Sequence, residues 1–206
     1  MINDYKKLPI GKWMEIRDIQ RDEAIEDNYT KTVAMLSVLS DIAEEDLYDK
    51  KLEEFSRMTG EMSFLLKEVP QVPVCDKYKM GGYELVLVNS LRDLTASQFI
   101  DYQTFIKDTD KYIVELLSIF LVPKGKKYCK DYDIADVQKA IRENMSIADA
   151  MSVSAFFLDL LKVLYKSMRI YLTKTLKKMK KKMKAEEATQ IERALQNLEN
   201  VGDGLL

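Results

Sequence analysis

The chain of 206 residues contains no histidine. This removes the side chain most often used as a general base and the commonest zinc ligand. Its two cysteines, Cys75 and Cys129, lie far apart and outside any CxxC or CxxH spacing, so free thiols are expected rather than a disulfide or a metal site. Four prolines and seven glycines leave few interruptions for helices. No uncharged apolar run reaches the roughly 20 residues that a spanning helix needs. The best stretch, residues 153–164, is broken by Asp159 and Lys162. The opening residues Asn3, Asp4, Lys6 and Lys7 leave no room for the apolar centre of a signal peptide. A soluble, intracellular protein with no membrane partner is therefore expected. Net charge is −2, too small for the field of the whole protein to recruit nucleic acid or an anionic membrane. Any charge-driven contact must be local.

What is present describes an ordered helical protein, with 47% hydrophobic and 32% charged residues. One pattern occurs twice. Leu8-Pro9-Ile10-Gly11-Lys12-Trp13-Met14-Glu15-Ile16 is followed, after a polar gap, by Leu36-Ser37-Val38-Leu39. Leu94-Thr95-Ala96-Ser97-Gln98-Phe99-Ile100-Asp101-Tyr102 is followed, after a second gap, by Leu117-Ser118-Ile119-Phe120. The recurrence suggests one helical unit used twice, with Trp13 and Phe99 as equivalent core anchors.

Along the chain, Pro9 suits the start of a helix over residues 11–21, because its missing N–H has no intrahelical partner there. A second helix is expected over 30–42, then a short one with Leu47, Leu52 and Phe55 on its apolar face, ended at Gly60. Residues 72–88 read as a β-hairpin: Val72, Val74, Val86 and Val88 favour strands and Gly81-Gly82 suits the turn. Thr95 with Gln98 three positions on forms a capping box for a helix carrying Phe99, Tyr102 and Phe105. Residues 112–121 are apolar on nearly every face and imply a buried helix ended by Pro123 and Gly125. Asp133 is placed to cap a helix over 134–144, and Ser146 to start the next segment. From residue 149 to about 200 no glycine or proline occurs, and one apolar stripe persists through Val153, Phe157, Leu164 and Met168. The expected fold is mainly α: two related helical halves joined by a short β-hairpin, with a long C-terminal helix. Residues 1–70 would form the first helical unit, 71–89 the hairpin connector and 90–206 the second unit.

No active-site constellation accompanies this architecture. Adjacent carboxylates such as Glu44-Glu45 and Glu53-Glu54 diverge by about 100° on a helix, so they do not converge on a substrate or metal. Gly81-Gly82 belongs to no phosphate-binding motif, and no base is placed to activate a hydroxyl nucleophile. No enzyme activity, cofactor or metal is expected. The sharpest local feature is a basic run, Lys174, Lys177, Lys178, Lys180, Lys181, Lys182 and Lys184, interleaved with Met179 and Met183. It is the candidate partner-binding site, suited to phosphates or an acidic surface. The plainer reading is a solvated helix face partly neutralised by Glu186, Glu187 and Glu192. The run lacks the aromatic residues on which single-stranded nucleic acid stacks, so a nucleic-acid-binding module stands second.

The doubled motif L-[PT]-x-x-[KQ]-[WF]-[MI]-[ED], met at Leu8 and again at Leu94 and followed each time by an apolar helix, resembles bacteriophage tail assembly chaperones. The likeness covers residues 8–165, including the Tyr83-Glu84-Leu85 strand ahead of the second motif, while the lysine run lies outside it. The resemblance implies a non-enzymatic phage assembly protein in the host cytoplasm, with other phage tail or virion proteins as partners and homo-oligomers possible. A permanent virion component, such as a connector, ring or packaged protein, is the companion expectation.

Overall fold

The computed structural model describes residues 1–90 and 93–180, and its helices start where the local chemistry favours them. Pro9 precedes α1 (Ile10–Arg21). Asp27 caps α2 (Asn28–Ser40), accepting from the Thr30 N–H at 2.8 Å. The stretch expected as one short helix is two, α3 (Glu44–Tyr48) and α4 (Leu52–Glu61), separated at residues 49–51. Gly60 lies inside α4 rather than ending it, and a 3₁₀ turn (Met62–Leu66) follows. Val33, Leu36, Leu47, Phe55 and Met58 form the core shared by α2, α3 and α4.

The hairpin forms later in the chain than its β-branched residues suggest. β1 (Lys77–Met80) pairs antiparallel with β2 (Tyr83–Leu87), Met80 facing Tyr83 across Gly81-Gly82. Both glycines have positive φ, 55° and 80°, as the favoured two-residue hairpin turn requires. Residues 72–74 are not a strand; the Val72 N–H is bound instead by the Ser152 hydroxyl at 2.9 Å. The sheet also has a third strand. β3 (Leu121–Pro123) pairs antiparallel with β2, which becomes the central strand, and Leu85 and Leu87 are buried. The hairpin is thus part of a three-stranded antiparallel sheet, and Pro123 ends an edge strand, a position that proline tolerates.

Between β2 and β3 lie α5 (Ala96–Phe105) and α6 (Ile113–Phe120). The capping box expected at Thr95 and Gln98 is present in both directions. Six residues of α6 are buried, among them Val114, Leu117 and Phe120, and the helix stops at Phe120 because the chain turns directly into β3. α7 (Ile134–Asn144) is capped by Asp133, and α8 (Ile147–Lys180) begins at Ser146, whose hydroxyl accepts from the Asp149 N–H.

Two backbone hydrogen bonds tie the start of α1 to the start of α8: Ile10 N–H to Met145 C=O at 2.9 Å and Ile147 N–H to Leu8 C=O at 2.8 Å. All four side chains involved are fully buried. α1 packs on α2 and on α7, and a Cβ added at Gly11 would lie 2.9 Å from the carbonyl oxygen of Arg142, so the absence of a side chain permits that approach. The contacts divide the chain into two units, Met1–Ser154 and Ala155–Leu206, and the described part of the second is residues 155–180 of α8. Among the described residues the fold is mainly helical with one small sheet, and no helix is long and apolar enough to cross a membrane.

Candidate functional site

Lys174 is exposed on α8. Lys177, Lys178, Met179 and Lys180 are the last described residues of that helix, while Lys181, Lys182, Met183 and Lys184 lie outside the described residues. Between residues 160 and 180, α8 carries seven basic side chains and no acidic one. The exposed positions Val163, Lys166, Ile170 and Lys174 are spaced by three, four and four residues, which puts them on one side of the helix. Val163 is 61% exposed and Ile170 47%. Earlier along α8, the expected apolar stripe is buried at Ala150, Val153 and Phe157.

A second feature lies on α2, α3 and α4, where sequence reasoning placed only core and solvated surface. Tyr29 in the first turn of α2 approaches Tyr48 at the end of α3 (ring centroids 6.1 Å apart) and Phe55 on α4 (5.3 Å). Phe55 is buried and anchors the group, whereas Tyr29 and Tyr48 are each half exposed. Leu52, expected on the buried face, is 83% exposed. The break between α3 and α4 restarts the helix at Leu52, so it no longer continues the face set by Leu47. The signal available in the sequence was the polar Asp49-Lys50-Lys51 stretch, which interrupts the apolar helical period.

The surroundings of this patch are acidic. Residues 22–61 contain twelve acidic and four basic side chains. Glu44, Glu45 and Asp46 are exposed in the first turn of α3, and Glu53 and Glu54 in that of α4, where the helix dipole favours them. Lys50 binds Glu54 at 2.7 Å and holds its carboxyl below the ordinary range.

The titratable cluster elsewhere is a brace rather than a reactive site. Tyr128 is buried and its hydroxyl donates to Asp101 Oδ2 on α5 at 2.9 Å. Burial, followed by that bond, pushes its phenol far above the ordinary range. Tyr132 is pushed up to about 12, chiefly by burial. Phenols held this way stay protonated at neutral pH and do not supply a base. Cys129 beside them adopts a left-handed backbone (φ 53°), and both it and Cys75 are free and exposed. An open groove of about 610 Å³ between α1 and α2 is lined by Glu15, Asp18, Ile19, Arg21, Asp22 and Val38. Its charges are of both signs, and no group of three metal-ligating side chains occurs among the described residues.

No protein-family model, no curated protein and no solved structure matches this chain.

Proposed function

We propose that this chain is a non-enzymatic bacteriophage structural or assembly protein that works through protein–protein contacts, either as a tail assembly chaperone or as a permanent connector, ring or packaged protein. The observation that carries the reading is the doubled motif at Leu8 and Leu94, each copy leading into an apolar helix. Three corresponding pairs are buried in both copies, Ile16 and Tyr102, Leu36 and Leu117, Leu39 and Phe120, whereas Ile10 is buried where Ala96 is exposed and Gln98 is buried where Lys12 is not. We infer that α1–α2 and α5–α6 are two versions of one helical unit, belonging to helical halves that meet at the hairpin. Trp13 and Phe99 are half-buried in both copies rather than central to the core.

Mass spectrometry of purified phage particles and of infected-cell lysates tests the proposal. Stoichiometric recovery in particles would make the chain a virion component. Absence from particles, with co-purification alongside tail proteins, would make it a chaperone. Recovery in neither setting overturns the phage reading. The basic stretch of α8 favours a second reading, nucleic-acid binding, which requires affinity to fall steeply as salt rises.

A further inference from the structure

Tyr29, Tyr48 and Leu52 are not scattered surface apolar residues of the ordinary kind. Tyr29 meets Tyr48 and buried Phe55, and Leu52 lies one turn before Phe55 on α4, so three helices contribute to the group. Half-exposed tyrosines beside an exposed leucine, rimmed by charge, have the composition of an interface centre. The rim is mainly acidic, with Glu44, Glu45, Asp46 and Glu53 exposed around it and Lys51 and Arg57 as the exposed basic side chains of the same stretch. The same chain carries a surface of opposite character: on α8, Val163 and Ile170 supply exposed apolar area and Lys166 and Lys174 flank it. Apolar centre meets apolar centre, and acidic rim meets lysines.

We propose that the Tyr29–Tyr48–Leu52 patch of one copy docks the Val163–Lys166–Ile170–Lys174 face of α8 from a second copy. The two surfaces differ, so the contact is head-to-tail: each copy that uses its patch still offers its α8 face to the next. Such contacts close into a ring or extend as a filament. Opposite charge sets the orientation, since patch against patch or α8 against α8 places like charges together. The near-zero net charge of the whole chain conceals an acidic region over residues 22–61 and a basic one over residues 160–180. This deepens the assembly reading and rests on it, by naming a partner for the exposed apolar surfaces.

The test is the mass of the purified full-length chain in solution, measured by sedimentation or light scattering after nuclease treatment, across concentration and salt. Wild-type protein should exceed the monomer mass, gain mass with concentration and lose it at high salt. A patch variant, Tyr48→Glu with Leu52→Glu, and a face variant, Val163→Glu with Lys166→Glu, should each weaken self-association about thirtyfold, the size of one lost hot spot. Mixed in equal amounts, they should form a dimer and stop there, because one intact patch meets one intact face. If the double patch variant loses its helical signal, Leu52→Glu alone serves, as that side chain is 83% exposed. A wild-type chain that stays monomeric at every concentration overturns the proposal, as does oligomer mass that survives both variants or a mixture that fails to dimerise. None of these outcomes depends on phage components, so a monomer removes this interface while the particle measurement still decides the assembly role.

Discussion

The helix pairs α1–α2 and α5–α6 share a sequence pattern but satisfy their ends by different means. α2 closes itself. The residue that follows it, Asp41, adopts a left-handed conformation (φ 57°) and returns its N–H to Ser37 C=O at 2.9 Å, the ordinary helix stop. The hydroxyls of Ser37 and Ser40 bind the carbonyls of Ile42 and Leu36. α6 instead hands its last carbonyls to other elements. Ile119 C=O accepts from Gln98 Nε2 on α5 at 2.6 Å, and Phe120 C=O accepts from the Val88 N–H beyond β2 at 2.9 Å. A helix end leaves carbonyls without intrahelical partners, and here the partner chosen decides whether the helix is a separate module or is joined to the sheet. The end of α6 is bonded directly to the chain beside the sheet, whereas the end of α2 is bonded to the first residues of the chain.

The largest test of this contrast is truncation in each core. Leu36→Ala and Leu117→Ala remove fully buried side chains at corresponding positions, and each should cost about 2–5 kcal/mol in denaturant unfolding. Leu117→Ala should cost more, because six of the eight residues of α6 are buried against four of the thirteen in α2, leaving less freedom for collapse around the cavity. Hydrogen exchange should report the loss across β2 and β3 for Leu117→Ala, and chiefly within α2–α4 for Leu36→Ala. Equal loosening of the sheet by both would break the distinction.

Gln98→Met comes next. It keeps the length of the side chain but leaves Ile119 C=O and the Thr95 N–H without their amide partner. A cost of about 1–3 kcal/mol is expected, the penalty of unpaired buried polar groups. Exchange should rise at the end of α6 while α2 keeps its protection. Unchanged exchange at Leu121 and Val122 would mean that Gln98 merely caps its own helix.

Gln98 also marks how far the sequence could be read. Its place three residues after Thr95 identified the capping box, because capping is local and depends on spacing. Its second bond, across to Ile119, depends on how α5 packs against α6, which no spacing encodes. Helix existence was legible wherever apolar periodicity and an N-cap agreed, as at Asp133 and Thr95. β3 was not legible: Leu121–Pro123 reads as the tail of an apolar helix, and it becomes a strand only because β2 offers it a ladder. Val72 and Val74 erred the other way, since β-branched residues without a partner strand form none. Of the proposed interface, the lysines were legible as charge, whereas the tyrosine patch needed three helices to be placed before it existed.

The smallest effect concerns the two N-caps, and it separates the pairs by chemistry rather than packing. α5 is capped by a threonine hydroxyl, which does not titrate. α2 is capped by Asp27, whose carboxyl is held below its ordinary value first by the Thr30 N–H, then by the Thr30 hydroxyl and the Tyr29 N–H. A lowered folded-state value means that the cap's contribution is complete above the unfolded carboxylate value of about 3.9 and is lost as pH falls through the folded value. Acid should therefore loosen the first turn of α2 before that of α5. Amide chemical shifts and exchange at Thr30 and Gln98, followed from neutral pH down to about pH 3, should show a transition at Thr30 with none at Gln98. Thr95→Ala should cost about 1 kcal/mol at every pH. Asp27→Asn should flatten the Thr30 titration, since its amide keeps an acceptor oxygen but gains no proton in acid. A Thr30 titration that persists in Asp27→Asn would assign the acid response to another carboxylate and leave the two pairs equally insensitive at their caps.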